Sequence, residues 1–218
     1  MMITKLKNFT RDPLSRKIQT IENFYHKLKT RYFYRWILKN CGKHSTVIKP
    51  LLWTPEYISI GNNIFVWPGC RIQTITRHGE QKYNPHIIIG DGVSIQQSCH
   101  ITAAGYLSIG ADTVVSFGVS IQDTDHEYEQ VNVNILKQPL IVKKTEIGDT
   151  CFIGAGAKIL AGTILGKQCI IGANAVVRGI FPDYCVIVGV PAKIVKRYNP
   201  ETEKWEKTNE KGEFINDN

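Results

Sequence analysis

A histidine beside two aspartates is the group in this chain best suited to move a proton. His126 closes the stretch Asp123-Thr124-Asp125-His126. A neutral imidazole within hydrogen-bonding reach of an alcohol can take its proton as the oxygen attacks an electrophilic carbon. A carboxylate nearby can orient the ring and stabilise its cation. The alternative is an ordinary polar loop with a solvated histidine. The elements around the loop determine which of the two interpretations is favoured.

The element that must position this group is a six-residue repeat. Between Ile147 and Phe181 an aliphatic residue opens each block of six, the next residue is usually Gly, and a small residue follows four places on. A period of six fits neither a helix nor a long alternating strand, and it is typical of a parallel β-helix. Each block predicts one short strand and a turn, with the aliphatic side chain stacked inward on the next coil.

The same register occurs upstream, with interruptions. The upstream aliphatic openers are Ile60, Val66, Ile72, Ile89, Ile95, Ile101, Ile109, Val115 and Ile121. Three blocks make one triangular coil, so we predict five coils in all. The register slips predict loops pushed out of a corner at residues 77–86 and 122–144, where such proteins often bind ligands.

Cysteines and histidines do not have the spacing of a metal site. The small inward positions of the repeat hold Cys70, Cys99, Cys151 and Cys169. A thiol there acts as a compact hydrophobe, so we expect reduced, packed cysteines. There is no C-x-x-C pair and no His-x4-His, so no metal is predicted. Two further histidines, His78 and His86, lie on the first loop and could line a pocket.

The composition indicates an ordinary folded domain with one basic end. The chain has 218 residues, 43% of them hydrophobic and 21% charged. It has no apolar run long enough to span a membrane and no apolar signal segment, so we expect a cytoplasmic protein. Residues 1–50 hold twelve Lys and Arg against two acidic residues, which gives +10 and leaves −2 for the remainder.

This basic segment also has apolar residues at helical spacing, from Ile18 to Trp36. Its aromatic face either packs on the first coil and caps the open end or lies on an anionic membrane, and we favour the cap. Both roles are compatible if the helix uses different faces for them. Nucleic-acid binding is not predicted, because no known motif accompanies the charge. The predicted organisation is a helical segment at 1–43, a β-helix at 44–197, and a tail at 198–218 with a small hairpin between Trp205 and Phe214.

Together with the repeat and the loop histidine, Gly189-Val-Pro-Ala-Lys after the last coil resembles the hexapeptide-repeat acyltransferases. The resemblance covers about residues 41–198. It is strongest to galactoside and maltose O-acetyltransferases and to enzymes that acetylate capsule, lipopolysaccharide and exopolysaccharide sugars. The resemblance implies an all-β, left-handed parallel β-helix and a homotrimer with active sites between subunits. It also implies acetyl-CoA as co-substrate, without a metal.

The resemblance also assigns residues. It implies that His126 is the general base, although many relatives have a second histidine two residues on, where this chain has Tyr128. Asp123 or Asp125 would orient the ring, unless both are ordinary loop acids. The other implied contacts are Ala155 and Ala173 for pantetheine, Arg178, Lys193 and Lys196 for the coenzyme phosphates, and Gln96, His100 and Tyr128 for the acceptor. Corner packing could equally explain the alanines, a solvated basic surface the cations, and a turn hydrogen bond His100.

The expected function is therefore acetyl transfer to the hydroxyl of a sugar in a capsule, lipopolysaccharide or exopolysaccharide precursor. Two alternatives stay open. One is N-acetylation of an amino sugar linked to a nucleotide, for which a free amine needs less help from a base. The other is a β-helix scaffold without enzymatic activity, which predicts no affinity for the coenzyme.

Overall fold

A computed structural model describes residues 13–215 of the chain. The first twelve residues, including Lys5, Lys7 and Arg11 of the basic segment, and the last three residues of the tail lie outside this range. The described chain opens with helix α1 (Leu14–Lys29), passes through one π-helical turn (Thr30–Tyr34), and ends its helical part in α2 (Arg35–Ile37).

From residue 40 onward the chain winds into a three-sided parallel β-helix, as the six-residue repeat predicts. Within residues 13–215, the first face has seven strands: β1 (Asn40–Cys41), β4 (Ile58–Ile60), β9 (His86–Ile89), β12 (Tyr106–Ile109), β17 (Thr145–Ile147), β20 (Ile164–Leu165) and β23 (Ile180–Phe181). The third face has six in the same range: β3 (Leu52–Trp53), β6 (Arg71–Thr74), β11 (His100–Ala103), β14 (Ser120–Gln122), β19 (Lys158–Ile159) and β22 (Val176–Val177).

The second face is longer because the end of the chain folds back onto it. Its parallel strands are β2 (Thr46–Val47), β5 (Phe65–Val66), β10 (Ser94–Ile95), β13 (Val114–Val115), β18 (Phe152–Ile153), β21 (Ile170–Ile171) and β24 (Cys185–Gly189). Two antiparallel strands extend it, β25 (Ala192–Asn199) and β26 (Lys204–Lys207). Thr208 bridges Phe214, which confirms the small hairpin predicted in the tail.

The two loops are hairpins that leave the solenoid. The first pairs β7 (Arg77–His78) with β8 (Gln81–Lys82), and the second pairs β15 (Thr124–His126) with β16 (Leu140–Val142). Short 3-10 turns occupy Pro55–Tyr57 and Ile135–Lys137.

The core is a set of columns in which equivalent residues of successive coils stack. Ile101 pairs in register with Ile72 on one side and with Ile121 on the other, and all three are buried. Full burial of such a side chain contributes about 1.5–3 kcal/mol. The repeat cysteines Cys70, Cys99, Cys151 and Cys169 are buried and free, as predicted. The inward positions read from the repeat are therefore confirmed.

The count of five coils is wrong by one. Within the described residues the structure has six complete coils, because residues 40–53 form a coil ahead of those recognised in the sequence. Its positions keep the spacing of six, but Cys41 and Trp53 stand where aliphatic residues open later blocks. Gly42 of this coil has no room for a side chain, since a Cβ would lie 2.3 Å from the backbone of Gly61.

The helix covers the open end of the first coil with a different face from the one expected. The buried residues are His26, Thr30, Tyr34 and Leu38, spaced four apart. Thr30 Oγ1 accepts a hydrogen bond of 2.9 Å from the N–H of Val47, which the coil end would otherwise leave unpaired. The expectation that the aromatic face packs on the coil is wrong, because the face that packs combines the Thr30 hydroxyl with two core residues, Tyr34 and Leu38. The aromatic face instead points outward, with Trp36 85% exposed.

Candidate active site

His126 lies on a two-stranded arm, residues 124–142, that projects from the end of β14. Within the arm His126 pairs with Leu140. The arm is closed at its base, where the N–H of Lys143 donates to the carbonyl of Asp123 over 2.8 Å. The hydroxyl of Thr145 donates to the carbonyl of Gln122 over 3.1 Å. The position of His126 is thus set by an arm whose base is hydrogen-bonded to the coil, and its side chain is exposed.

The arm is also held from the first loop. The rings of His78 and His126 meet edge to face, with their centroids 5.5 Å apart. Tyr83 Oη accepts a hydrogen bond of 3.0 Å from the N–H of Leu140, on the strand opposite His126. The Nε2 atom of His78 is buried and has no hydrogen-bond partner within the described part of the chain. The sequence placed His78 on this loop but gave no sign of its contact with His126.

Asp123 is committed to the coil corner. It is fully buried, and its two carboxylate oxygens accept 2.8 Å hydrogen bonds from the N–H groups of Ala104 and Gly105. Burial raises the pKa of this carboxyl, and the two N–H donors partly oppose that rise. Its side chain therefore supports the turn of the coil below, and it makes no hydrogen bond to His126 among residues 13–215.

Asp125 is likewise engaged elsewhere. Its carboxylate oxygens lie 2.8 and 3.0 Å from Nη2 of Arg178, which follows β22 two coils further along the solenoid. The pair is partly exposed, with 47% of the Arg178 side chain and 26% of the Asp125 side chain accessible. The pairing ties the arm to the next coils and neutralises the cation that the sequence assigned to coenzyme phosphates.

The acceptor candidates lie at or near the third face. His100 stands in a row with Arg71, Ser120 and Lys158, which neighbour it on successive strands. Partial burial lowers the pKa of His100, with smaller contributions from the charges of Arg71 and Lys158. His100 begins β11 and neighbours the first residue of β14, whereas the arm leaves from the other end of β14.

The other two acceptor candidates lie further apart. Gln96 lies at the edge of the third face opposite the arm, and its Oε1 accepts a 3.2 Å hydrogen bond from the hydroxyl of Ser116. Tyr128 lies on the arm, two residues after His126, and is 74% exposed.

The coenzyme candidates divide between the two edges of the third face. Ala155 and Ala173 follow β18 and β21 on neighbouring coils, at the same edge as Gln96, and the N–H of Asn174 bonds the carbonyl of Ala155 over 2.9 Å.

The two lysine candidates lie on β25. Lys193 pairs with Val188 of β24, the strand next to β21, and its Nζ lies 3.3 Å from the Glu210 carboxylate. Lys196, further along β25, is exposed. Arg178 and His126 lie at the opposite edge.

The described residues contain neither a metal-binding cluster nor a membrane-spanning helix. Across residues 13–215, no group of three His, Cys, Asp or Glu side chains has the geometry to hold a metal ion. Within the same part of the chain no helix has the length and apolar character needed to cross a bilayer.

The sequence and the fold both have known relatives. Residues 144–179 match the family model described as bacterial transferase hexapeptide (six repeats). Over 193 residues the chain is 33% identical to an Escherichia coli K12 protein with the provisional name lipopolysaccharide biosynthesis O-acetyl transferase WbbJ, covering 83% of this chain and 89% of that protein.

Two solved structures show the same fold at low sequence identity. A maltose O-acetyltransferase from Clostridium difficile 630 is 22% identical with a TM-score of 0.51, covering 83% of this chain and 88% of its own. AntD, an N-acyltransferase from Bacillus cereus solved with dTDP and 3-hydroxybutyryl-CoA, is 17% identical with a TM-score of 0.54, covering 79% and 90%.

Proposed function

The chain belongs to the hexapeptide-repeat acyltransferases, which share its left-handed parallel β-helix, and we propose that it transfers acetyl from acetyl-CoA to a sugar hydroxyl. The acceptor we propose is a capsule, lipopolysaccharide or exopolysaccharide precursor in the cytoplasm, on the strength of the similarity to WbbJ. The observation that carries the proposal is His126, an exposed imidazole on a braced arm, without a hydrogen-bond partner in the described chain.

In this mechanism His126 takes the proton of the acceptor hydroxyl as the oxygen attacks the thioester carbonyl. The new C–O bond gives a tetrahedral oxyanion, for which backbone N–H groups are the donors. The C–S bond then breaks and the thiolate leaves with the proton from the imidazolium. The chain's task is to hold a neutral ring, a hydroxyl and a carbonyl in line, so neither a metal nor an acyl-enzyme is required.

A second copy of the chain completes the site in this proposal. The pantetheine candidates Ala155 and Ala173 lie at one edge of the third face, and His126 lies at the other. In a homotrimer, the edge of one subunit faces the opposite edge of the next, and the two halves form a groove. Lys196, and Lys193 once it releases Glu210, would bind the coenzyme phosphates as cations. Arg178 can join them only by releasing Asp125, so its first role in the proposal is to position the arm.

The alternative acceptor is an amino sugar linked to a nucleotide. The fold similarity to AntD, an N-acyltransferase solved with dTDP, favours keeping this alternative. The two products differ chemically, since an O-acetyl ester is released by mild base and an N-acetyl amide is not. A scaffold without activity is the third alternative, and it predicts neither product.

The test is a screen of acetyl-CoA turnover with sugars and nucleotide sugars, in EDTA, with thiol release as the readout and base treatment of the product. We expect base-labile acetyl transfer to a sugar and trimers by light scattering. A base-stable product would establish the N-acetylation alternative. Calorimetry that shows no binding of CoA at millimolar concentration would favour the scaffold. A stable monomer with full activity would remove the groove between subunits.

A further inference from the structure

The N-terminal helical segment shows a continuous apolar strip on its outer side. Residues at helical spacing of three and four make up this strip: Leu14, Ile18, Ile21, Tyr25, Leu28, Tyr32 and Trp36. Their exposed fractions run from 38% at Leu28 to 85% at Trp36. The coil does not cover this strip, because the segment contacts the coil through the buried residues His26, Thr30, Tyr34 and Leu38. An apolar surface of this extent on a polar protein marks an interaction site.

A row of cations lies along one border of the apolar strip. Lys27, Arg31 and Arg35 are four residues apart and exposed. They line a cavity of about 300 Å³ between the helix and the turn of the first coil, where Lys43 also lies. Phe24 and Leu28 form apolar walls of the same cavity, and no acidic side chain is among its described lining residues. The cavity is thus shaped for a group that is anionic at one end and apolar beside it.

Acidic residues do not balance this surface. Between residues 14 and 37 the sequence has a single acid, Glu22, and its carboxylate lies 3.5 Å from Lys49 of the first coil. Two copies of the strip packed face to face would bring the two cation rows together, and like charges at short range repel. The partner that fits both the apolar strip and the cation row is an anionic surface with an apolar interior.

We propose that this helical segment docks the protein on an anionic phospholipid bilayer. The apolar strip enters the boundary between headgroups and acyl chains, as amphipathic helices with a basic border do. Lys27, Arg31, Arg35 and Lys43 take a lipid phosphate in the cavity. The face that caps the coil stays on the protein, so the cap and the membrane contact use different sides of one helix. This inference does not depend on the proposed reaction.

The test is co-sedimentation of the full chain with vesicles of phosphatidylcholine alone or mixed with phosphatidylglycerol. We expect binding to the mixed vesicles only. Lys27→Gln, Arg31→Gln and Arg35→Gln combined should lower the partition coefficient on the order of 100-fold, from the attraction of three cations to an anionic surface. Lys204→Gln, Lys207→Gln and Lys211→Gln remove the same charge from the far end of the chain and should change it less than about threefold.

The apolar strip has its own readout. Binding should shift tryptophan emission to the blue in the wild type and not in Trp36→Phe, which keeps Trp53, Trp67 and Trp205. Trp36→Ala should weaken binding on the order of tenfold, because the strip loses its most exposed aromatic anchor. Thermal melting should be unchanged in all these variants, since the replaced side chains are exposed.

Several outcomes would overturn the proposal. Equal binding to neutral vesicles, or an equal loss in the two triple variants, would show that the cation row does not recognise the surface. Failure to sediment with mixed vesicles would show that the segment does not dock. If Trp36→Ala instead changes the oligomeric state without lipid, a second copy covers the strip.

Discussion

The imidazole of His78 meets the imidazole of His126 edge to face, and the two rings belong to loops that leave different coils. Such contacts between rings contribute about 0.5–1.5 kcal/mol beyond burial, enough to bias an exposed side chain toward one rotamer. The proposed base is therefore aimed by a residue outside its own arm. This relationship makes the first loop part of the proposed active site without requiring it to touch the coenzyme.

His78→Phe keeps a ring against His126, whereas His78→Ala removes it. We expect kcat to stay within about threefold in the Phe variant and to fall roughly tenfold in the Ala variant, for a loss of about 1.4 kcal/mol of positioning. Steady-state kinetics with saturating acetyl-CoA would measure both. If the Phe variant loses as much as the Ala variant, the ring nitrogens of His78 act in the reaction and packing is not its role.

His126→Ala should lower kcat by about 10²–10⁴-fold, the usual contribution of positioned proton transfer. Coenzyme affinity should change little, because the ring meets the hydroxyl and not the phosphates. His100→Ala is the matched control and should cost less. Loss of turnover in His100→Ala with retention in His126→Ala would assign the base to the coil.

Variants of the Asp125–Arg178 pair distinguish two roles for Arg178, which are to position the arm and to bind the coenzyme phosphates. Arg178→Gln should lower kcat several-fold by loosening the arm, with less than about 1 kcal/mol of lost stability because the pair is partly exposed. The swap Asp125→Arg with Arg178→Asp should recover most of the loss. Lys196→Gln is the comparison variant, because loss of a phosphate contact should raise the KM for acetyl-CoA and leave kcat unchanged. A tenfold higher KM in Arg178→Gln with unchanged kcat would favour the coenzyme role.

Asp123→Ala should destabilise the fold more than it impairs the chemistry. It leaves the buried N–H of Ala104 and the part-buried N–H of Gly105 without acceptors, which costs about 1–3 kcal/mol for the buried group and less for the other. Urea unfolding would measure the loss, and turnover per folded molecule should stay within a few-fold. Glu129→Ala, at an exposed position of the same arm, is the control. A stable variant with turnover reduced a thousandfold would return Asp123 to the orienting role predicted from sequence.

Acid should weaken the cap through His26. Burial lowers the pKa of this ring below its ordinary value of 6.5, the nearby charges of Lys49 and Lys29 lower it further, and Glu22 opposes them. Below 6.5 the unfolded chain binds more protons than the folded one, so this contribution is present above 6.5 and is lost as the pH falls. The melting temperature should drop more between pH 7.5 and 5 in the wild type than in His26→Gln. Parallel profiles would contradict this.

The period of six predicted most of the solenoid because each inward position has the same physical task. Ile101 and Ile121 had to be aliphatic to stack, and both are buried in register. The first coil escaped notice because Cys41 and Trp53 meet the helix or the coil end, where a uniform aliphatic column is not needed. The orientation of the helix could not be predicted, since the decisive contact is one hydroxyl, Thr30 Oγ1, on one backbone N–H.

The sequence placed His126 on its loop, but its partners depend on contacts that no local pattern encodes. Asp123 and Asp125 look equivalent as neighbours of a histidine. They differ in the coil that each contacts, since Asp123 bonds the coil below and Asp125 bonds Arg178 two coils above. An acid next to a register slip was the available signal for Asp123, because a slip leaves turn N–H groups without partners.

The closed base of the arm has a consequence for how such enzymes change. The arm begins and ends within a single step of the solenoid, where Lys143 bonds Asp123 across 2.8 Å. Residues 124–142 can therefore be lengthened, shortened or exchanged while the coils on either side keep their pairing, since surface insertions of this kind add little closure entropy. A lineage could alter which hydroxyl is presented to the base by grafting a new arm, and leave the edge with Ala155 and Ala173 untouched.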